Sequence, residues 1–384
     1  MNLFIVAIFL NLLYFTIQTI VNDNFINTRY KRGVIVNSIY QWEDFPIKYE
    51  IRGEAFAHYG HITEAIKKIE NETCLSFQKL DHLLDEGITF KESLNGFSST
   101  NLKKSSNFEP HSIFLNTDSF KGKGRNYIRL VLRALGMDYE FNKPNSSEYI
   151  TINKNNMNNL YKRNLNIKPK KDVKYDSKYD YGSIMHFSNY EVSKDKKSLV
   201  FETKDKRYQN TLGININPSF NDIKFINQHY CKDECLNKLT SCQNNGYQDP
   251  INCKYCRCPF FYGGQYCEKP FLPTNYKCGK GKYEAKSKYQ TIVFKRNFLC
   301  FAQINAKKGK KITIKLEKGT IGKSEECKED TTLEILYKKD KSMNGPHFCG
   351  KVETTYLKSE DNIVFLKWFD SKYDSFYKIQ YKYS

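Results

Sequence analysis

A chain of 384 residues is long enough for two or three domains, each with its own buried core. Its 61 basic and 42 acidic residues leave a net charge of +19, yet the lysines are spread along the chain with no zinc finger or other nucleic-acid motif, which excludes nucleic acid as an expected partner. Twelve cysteines, eleven of them after Gln228, exclude a reducing compartment as the expected home.

Leu3 to Val21 (LFIVAIFLNLLYFTIQTIV) is nearly unbroken apolar sequence, interrupted among strongly polar types only by Asn11 and Gln18. Residues 1–21 suit a secretory signal, although no charge precedes the stretch and no A-x-A cleavage site follows it. A membrane anchor is the alternative, since about twenty apolar residues span a bilayer. No later stretch could cross, so no membrane span is expected in a mature, secreted chain. Residues 22–32 read as a short pro-segment ending in Arg29-Tyr30-Lys31-Arg32, a processing word that would expose Gly33. Asn71 (NET) and Asn145 (NSS) are glycosylation sequons, which matter only in a secreted chain.

Residues 33–231 are expected to form one α+β domain. Ala55 to Ile69 reads as an amphipathic helix with Ile62, Ala65, Ile66 and Ile69 on one face. Short strands are predicted at Gly87–Lys91 and Ser112–Asn116. The stretch RNYIRLVLRALGMDYEF, Arg125 to Phe141, carries Ile128, Val131, Leu132 and Leu135 at helical spacing, with Gly136 as the stop. Pro218 to Tyr230 reads as a closing helix. Residues 231–268 hold seven cysteines among Gly, Asn and Pro, so disulfides must take the place of a core. From Lys277 onward ITIKL, TLEILY, NIVFLKW and YKIQYKY alternate as strands do, which predicts an all-β sandwich. The basic runs KPKKDVK (Lys168–Lys174) and KKGKK (Lys307–Lys311) read as solvated loops.

Ala134-Leu135-Gly136 and Glu140 fall in the frame A-L-G-x-x-x-E, followed by Tyr149-Ile150 and then by Ser183-Ile184-Met185-His186. IENETCLSF around Cys74 precedes them, and YQNTLG with PSFNDIKFINQHYC closes the series. In this order the words resemble the astacin family of zinc endopeptidases. There H-E-x-x-H-A-L-G-x-x-H-E sets two imidazoles one helical turn apart and turns the chain to a third. The Glu takes a proton from zinc-bound water, and a Met-turn S-x-M-H-Y supplies a tyrosine to the transition state. The resemblance implies a two-lobed metzincin domain, one zinc ion and endopeptidase activity.

The positions that carry that chemistry are filled differently here. Arg129, Arg133 and Tyr139 stand at the three ligand positions, Leu130 at the Glu and Phe187 at the tyrosine. Arginine is a permanent cation with donors only, leucine accepts no proton and phenylalanine has no hydroxyl. No zinc, no other cofactor and no intact catalytic residue is therefore expected, while Ala134, Leu135, Gly136, Glu140, Met185 and His186 remain as scaffold. None of the seven histidines lies in an H-E-x-x-H frame, and His58 and His61 are expected to be ordinary surface or core residues.

The later segments resemble the nematode-type arrangement, an EGF-like module over 232–268 and a CUB domain over 277–384. The resemblance implies Cys74–Cys231, Cys235–Cys253, Cys242–Cys256, Cys258–Cys267, Cys278–Cys300 and Cys327–Cys349. The expected function is that of a secreted astacin-like pseudoprotease that binds an extracellular protein or peptide. A carboxylate from Glu140 or from an acidic partner would sit between Arg129 and Arg133, or Arg133 would simply pair with Glu140. The rival readings are an active zinc endopeptidase and a protein that binds sulfated glycans through its charge.

Overall fold

The computed structural model describes residues 33–36, 41–83, 85–94, 98–102, 109–116, 124–167, 169, 173–175, 178–273, 276–295, 298–322, 327–328, 331–370 and 376–384. The apolar start, the RYKR word and most of the KPKKDVK run lie outside the described residues.

Strand β1 (Gly33–Val36) pairs antiparallel with β8 (Val173–Tyr175). A five-stranded sheet follows, built from β2 (Ile47–Ile51), β3 (Phe77–Lys79), β4 (Ile88–Glu92), β5 (Ser99–Thr100) and β6 (His111–Leu115). Its order is β3-β2-β4-β6-β5, and only the β5–β6 pair is antiparallel. Parallel strands need cover. Helix α1 (Tyr59–Glu70), entered through a 3-10 turn at Gly53–His58, buries Ile62, Ala65, Ile66 and Ile69, the predicted apolar face.

Helix α2 (Gly124–Ala134) packs beside α1 and stops where Gly136 takes φ 90°, a conformation that a side chain disfavours. Its apolar face is the one read from the sequence, but every residue from Tyr127 to Ala134 is buried. A helix enclosed on all sides must find partners for its polar residues, and here those are Arg129 and Arg133.

Two antiparallel strands, β7 (Ile150–Ile152) and β9 (Phe201–Thr203), and the short helices α3 (Asn159–Lys162) and α4 (Asn189–Val192) surround the turn at Ser183–His186. Helix α5 (Phe220–Tyr230) starts at a capping box. The Ser219 hydroxyl accepts from the Asp222 amide at 3.2 Å, and Asp222 Oδ2 accepts from the Ser219 amide at 2.7 Å.

Beyond Cys231 the chain forms two small hairpins, β10 (Tyr247–Gln248) with β11 (Cys256–Arg257) and β12 (Tyr262–Gly263) with β13 (Lys269–Pro270). A sandwich follows. One sheet, β14-β16-β23-β19-β20, holds Lys282–Glu284, Cys300–Asn305, Ile363–Asp370, Thr331–Leu336 and His347–Phe348. The other, β15-β24-β17-β22, holds Gln290–Lys295, Phe376–Tyr383, Ile312–Leu316 and Thr355–Lys358. Strands β18 (Gly319–Ile321) and β21 (Gly350–Val352) add a short antiparallel pair. Val364, Leu366 and Trp368 point between the sheets, while Phe365 on the opposite face stacks on Phe261 of the disulfide-rich segment at 4.5 Å. The first sheet is thus covered on both sides. In the second, Ile312, Ile314, Leu316, Ile379 and Tyr381 face inward, and Thr313, Lys315, Tyr356, Lys358 and Gln380 face water. Disulfides close Cys74–Cys231, Cys235–Cys253, Cys242–Cys256, Cys258–Cys267, Cys278–Cys300 and Cys327–Cys349.

Candidate functional site

Helix α2, the turn after Gly136 and the turn at Ser183–His186 bring Arg129, Arg133, Tyr139 and Phe187 together. The Arg129 guanidinium lies 4.7 Å from the centroid of the Phe187 ring, which lies 4.7 Å from that of Tyr139. Arg133 lies over Tyr139 at 4.2 Å. Tyr161 meets Phe187 edge-on at 5.4 Å, and Phe141 stacks on Tyr139 at 5.1 Å. The four residues form a cation–ring–ring–cation stack. Desolvated contacts of this kind contribute about 2 kcal/mol each, and ring pairs about 1 kcal/mol.

Each cation has its own anion. Arg129 donates through Nε to Ile184 O at 2.7 Å, through Nη2 to His186 O at 3.1 Å, and through Nη1 to Glu191 Oε1 at 2.9 Å. Arg125 approaches the other oxygen of Glu191 at 3.6 Å. Arg133 donates to Asp138 Oδ1 at 2.6 Å, an oxygen that also accepts from the Tyr139 amide and from Asn142 Nδ2. Arg129 is 3% exposed and Arg133 8%.

This corrects both expectations for the arginines. They do not flank an open groove awaiting a carboxylate, and Arg133 does not pair with Glu140. Glu140 accepts instead from Lys143 Nζ at 2.5 Å and from the Asp180 amide at 2.7 Å. The reason is local. The glycine turn brings Asp138 back under the last turn of α2, whereas the 3-10 turn at Glu140–Asn142 points Glu140 toward Lys143. Asp138 and Glu191 are the two residues that reading the sequence missed. Asp138 could have been found, since it stands five residues after Arg133 across a helix-ending glycine. Glu191 lies 62 residues from Arg129, and no local pattern marks it.

The remaining scaffold is buried and saturated. His186 Nδ1 donates to Phe187 O at 2.8 Å, which leaves Nε2 to accept from the Tyr179 hydroxyl at 2.7 Å. Burial pushes the His186 imidazole down to about 4, so it is neutral. Burial likewise pushes Glu140 up to about 7, against the opposing charge of Lys143, and Asp180 up to about 6, with the charge of Asp222 adding to it. Tyr161 is pushed to about 12 and Tyr139 is raised, again by burial. Met185 is fully enclosed, and its carbonyl accepts from the Glu140 amide at 3.1 Å. Leu130 is 5% exposed and belongs to the apolar core.

A zinc ion needs lone pairs from imidazole, thiolate or carboxylate. At the three ligand positions this chain offers two guanidiniums, already committed to carboxylates, and a phenol held neutral by burial, so the donor set does not fit the ion. Among the described residues no group of three or more His, Cys, Asp or Glu is placed to hold a metal. His58 is buried and bonded to the Tyr127 hydroxyl at 2.6 Å, and His61 stacks on the same ring at 5.1 Å. Asn71 is exposed at the end of α1, and Asn145 is half-buried. No helix among the described residues is long and apolar enough to cross a membrane.

Comparison with known proteins places these observations. The chain is 29% identical over 360 residues to the zinc metalloproteinase nas-34 of Caenorhabditis elegans, covering 91% of this chain and 57% of that protein. It is 30% identical over 343 residues to the zinc metalloproteinase nas-36 of Brugia malayi, covering 85% and 56%. It thus spans somewhat more than half the length of these relatives. A solved structure, the High choriolytic enzyme 1 of Oryzias latipes, a hatching-enzyme zinc protease, aligns at 21% identity with a TM-score of 0.40, covering 50% of this chain and 94% of that one. Residues 278–381 match the CUB domain model, and residues 34–231 match the model of the astacin peptidase family. The chain belongs to the astacin family, with a CUB domain after the peptidase-type domain.

Proposed function

We propose that this chain is a secreted, non-catalytic member of the astacin family that acts by binding an extracellular protein or peptide. One observation carries the reading. The residues at the ligand positions, Arg129, Arg133 and Tyr139, are closed into a stack with Phe187 and neutralised from within by Glu191 and Asp138. Hydrolysis by this family's route needs an ionisable water and a base beside it. The base position is Leu130, which belongs to the core.

Six disulfides favour an oxidising compartment. The order and pairing of the cysteines between Cys235 and Cys267 support reading residues 232–268 as an EGF-like module. Binding then belongs to outer surfaces, because Arg129 and Arg133 are buried and each is already paired with an internal carboxylate. The competing reading is an active zinc endopeptidase, as the relatives are named. Elemental analysis of the purified, folded protein separates the two. Less than about a tenth of an equivalent of zinc, with no chelator-sensitive cleavage of a protein substrate, is the expected outcome. One tightly held equivalent together with such cleavage would overturn the reading.

A further inference from the structure

The exposed sheet of the CUB domain ends in a concentration of positive charge that the sequence disperses. Lys307, Lys310 and Lys311 come from the turn before the strand Ile312–Leu316, Lys286 from the approach to Gln290–Lys295, Lys358 from the edge strand and Lys382 from the strand Phe376–Tyr383. Backbone hydrogen bonds hold these segments side by side. Lys311 and Ser384 exchange amide–carbonyl bonds at 3.3 and 2.9 Å, the Tyr383 amide donates to Lys286 O at 2.9 Å, and the Ser359 amide donates to Ile312 O at 2.8 Å. Thr313 stands in register with Lys382 on one side and Lys358 on the other, so one outward row reads Lys–Thr–Lys across three strands.

Neighbouring strands are about 4.8 Å apart, which makes the four-stranded end a basic track roughly 14 Å wide. Lys286, Lys307, Lys310, Lys311 and Lys358 are exposed and Lys382 is half-exposed. Among the described residues the lysine ion pairs of this domain are Lys318–Glu353 and Lys341–Asp361, and none of the six takes part in one with an acidic side chain. The nearby carboxylates are engaged elsewhere. Glu360 Oε2 accepts from the Lys339 amide at 2.9 Å, and Glu284 Oε1 accepts from Asn305 Nδ2 at 3.2 Å. Glu317 and Glu353 stand at the opposite end of the sheet, where Lys318 meets Glu353 at 3.3 Å.

We propose that this lysine-lined end of the CUB sheet binds a linear sulfated polysaccharide. Lys382 lies over the Tyr289 ring at 4.7 Å and Lys310 over the Tyr383 ring at 5.8 Å, contacts that position the ammonium groups without cancelling their charge. Like charges held on one rigid edge gain when an external polyanion neutralises them. Lysine is a hydrated point charge on a flexible stem, so the track suits a chain of repeating anions read without fixed register, in contrast to the fork geometry of arginine. The hydroxyl of Thr313 and the amide of Gln380 add neutral hydrogen-bonding groups to the same face. A membrane is the poorer fit. The anionic leaflet is the cytoplasmic one, whereas this chain carries six disulfides. The lysines belong to the CUB domain and Arg129 and Arg133 to the peptidase-type domain, so the proposal holds whether or not that domain hydrolyses anything.

The test uses the full chain on immobilised heparin and, in solution, dextran sulfate against unsulfated dextran. One variant combines Lys310→Gln, Lys311→Gln, Lys358→Gln and Lys382→Gln. A control removes the same charge elsewhere, from exposed Lys67, Lys162, Lys197 and Lys254, each to Gln. The parent and the control should bind heparin and dextran sulfate alike. The sheet variant should lose about tenfold or more in affinity, and the slope of log K on log salt should fall by about 3, at about 0.7 per lost contact to a flexible polyanion. Near-ultraviolet circular dichroism identical to the parent's establishes that the surface variant is folded. Equal losses in the two variants would overturn the proposal in favour of diffuse charge. So would binding confined to phosphatidylserine vesicles, or no difference between sulfated and unsulfated dextran.

Discussion

At the scale of single residues, the decisive feature is that Arg129 and Arg133, which the astacin resemblance sets at ligand positions, are buried with carboxylate partners of their own. Removing one member of a buried ion pair leaves the other charge stranded, which costs about 3–5 kcal/mol, whereas replacing both by apolar groups can be neutral. Arg133→Ala should therefore lower stability by about that amount. Arg133→Met combined with Asp138→Leu should lose less than the sum of the two single changes, although Asp138 also caps the Tyr139 amide and Asn142. Denaturation in guanidinium chloride, followed as a double-mutant cycle, reads the coupling. The neutral His186 gives a pH signature. Its folded value of about 4 lies below the ordinary 6.5, so between the two the unfolded chain binds the proton and the folded chain does not. Its contribution is full above pH 6.5 and is lost as pH falls through about 4, a change on the order of 3 kcal/mol. His186→Gln should be less stable than the parent at pH 7 but lose less on going to pH 4, measured by chemical denaturation at both values.

At the scale of elements, helix α2 shows why periodicity reads one face and not the whole environment. Ile128, Val131, Leu132 and Leu135 identified the apolar stripe, but the 3.6-residue repeat is silent about what covers the opposite side. There the cover is the Ser183–His186 turn, and Asp222 on α5 fixes it. Asp222 Oδ1 accepts from the Ser183 hydroxyl at 2.6 Å, and Oδ2 accepts from the Ile184 amide at 2.9 Å as well as from the Ser219 amide. One carboxylate thus closes a capping box and pins the floor of the site. Ser219→Ala should cost about 1 kcal/mol, the ordinary loss of a cap. Asp222→Ala should cost several times that, because it orphans buried donors at about 1–3 kcal/mol each. Thermal unfolding of the two variants side by side checks the ranking, and equal effects would mean that the turn does not depend on Asp222.

At the scale of the whole molecule, the CUB domain braces the peptidase-type domain directly behind that turn. Asn344 Nδ2 donates to both oxygens of Asp180 at 3.0 and 3.1 Å, Asn221 Nδ2 donates to Ser342 O at 3.0 Å, and the His347 amide donates to Thr211 Oγ1 at 3.0 Å. Gly182 lies against Asn344 so closely that a Cβ there would run into its side chain. Gly182→Ala should force the loop at Asn344 away and uncouple the two domains. The chain has two tryptophans, Trp42 in the first domain and Trp368 in the sandwich. Variants keeping one or the other should unfold together in the parent background and separately with Gly182→Ala.

What the sequence determined by itself was what depends on residue type and local period: the family words, the three long helices, the alternating strands of the sandwich, and the side-chain types at Arg129, Arg133 and Tyr139. Side-chain chemistry and repeat are properties of a short stretch, and no fold is needed to read them. Only the tertiary structure decided where the arginines' charge goes, which face of the sandwich meets water, and which scattered lysines become one track. Those outcomes rest on contacts between residues distant in sequence. Glu191 reaches Arg129 across 62 positions and Asn344 reaches Asp180 across 164, separations over which no periodic signal survives.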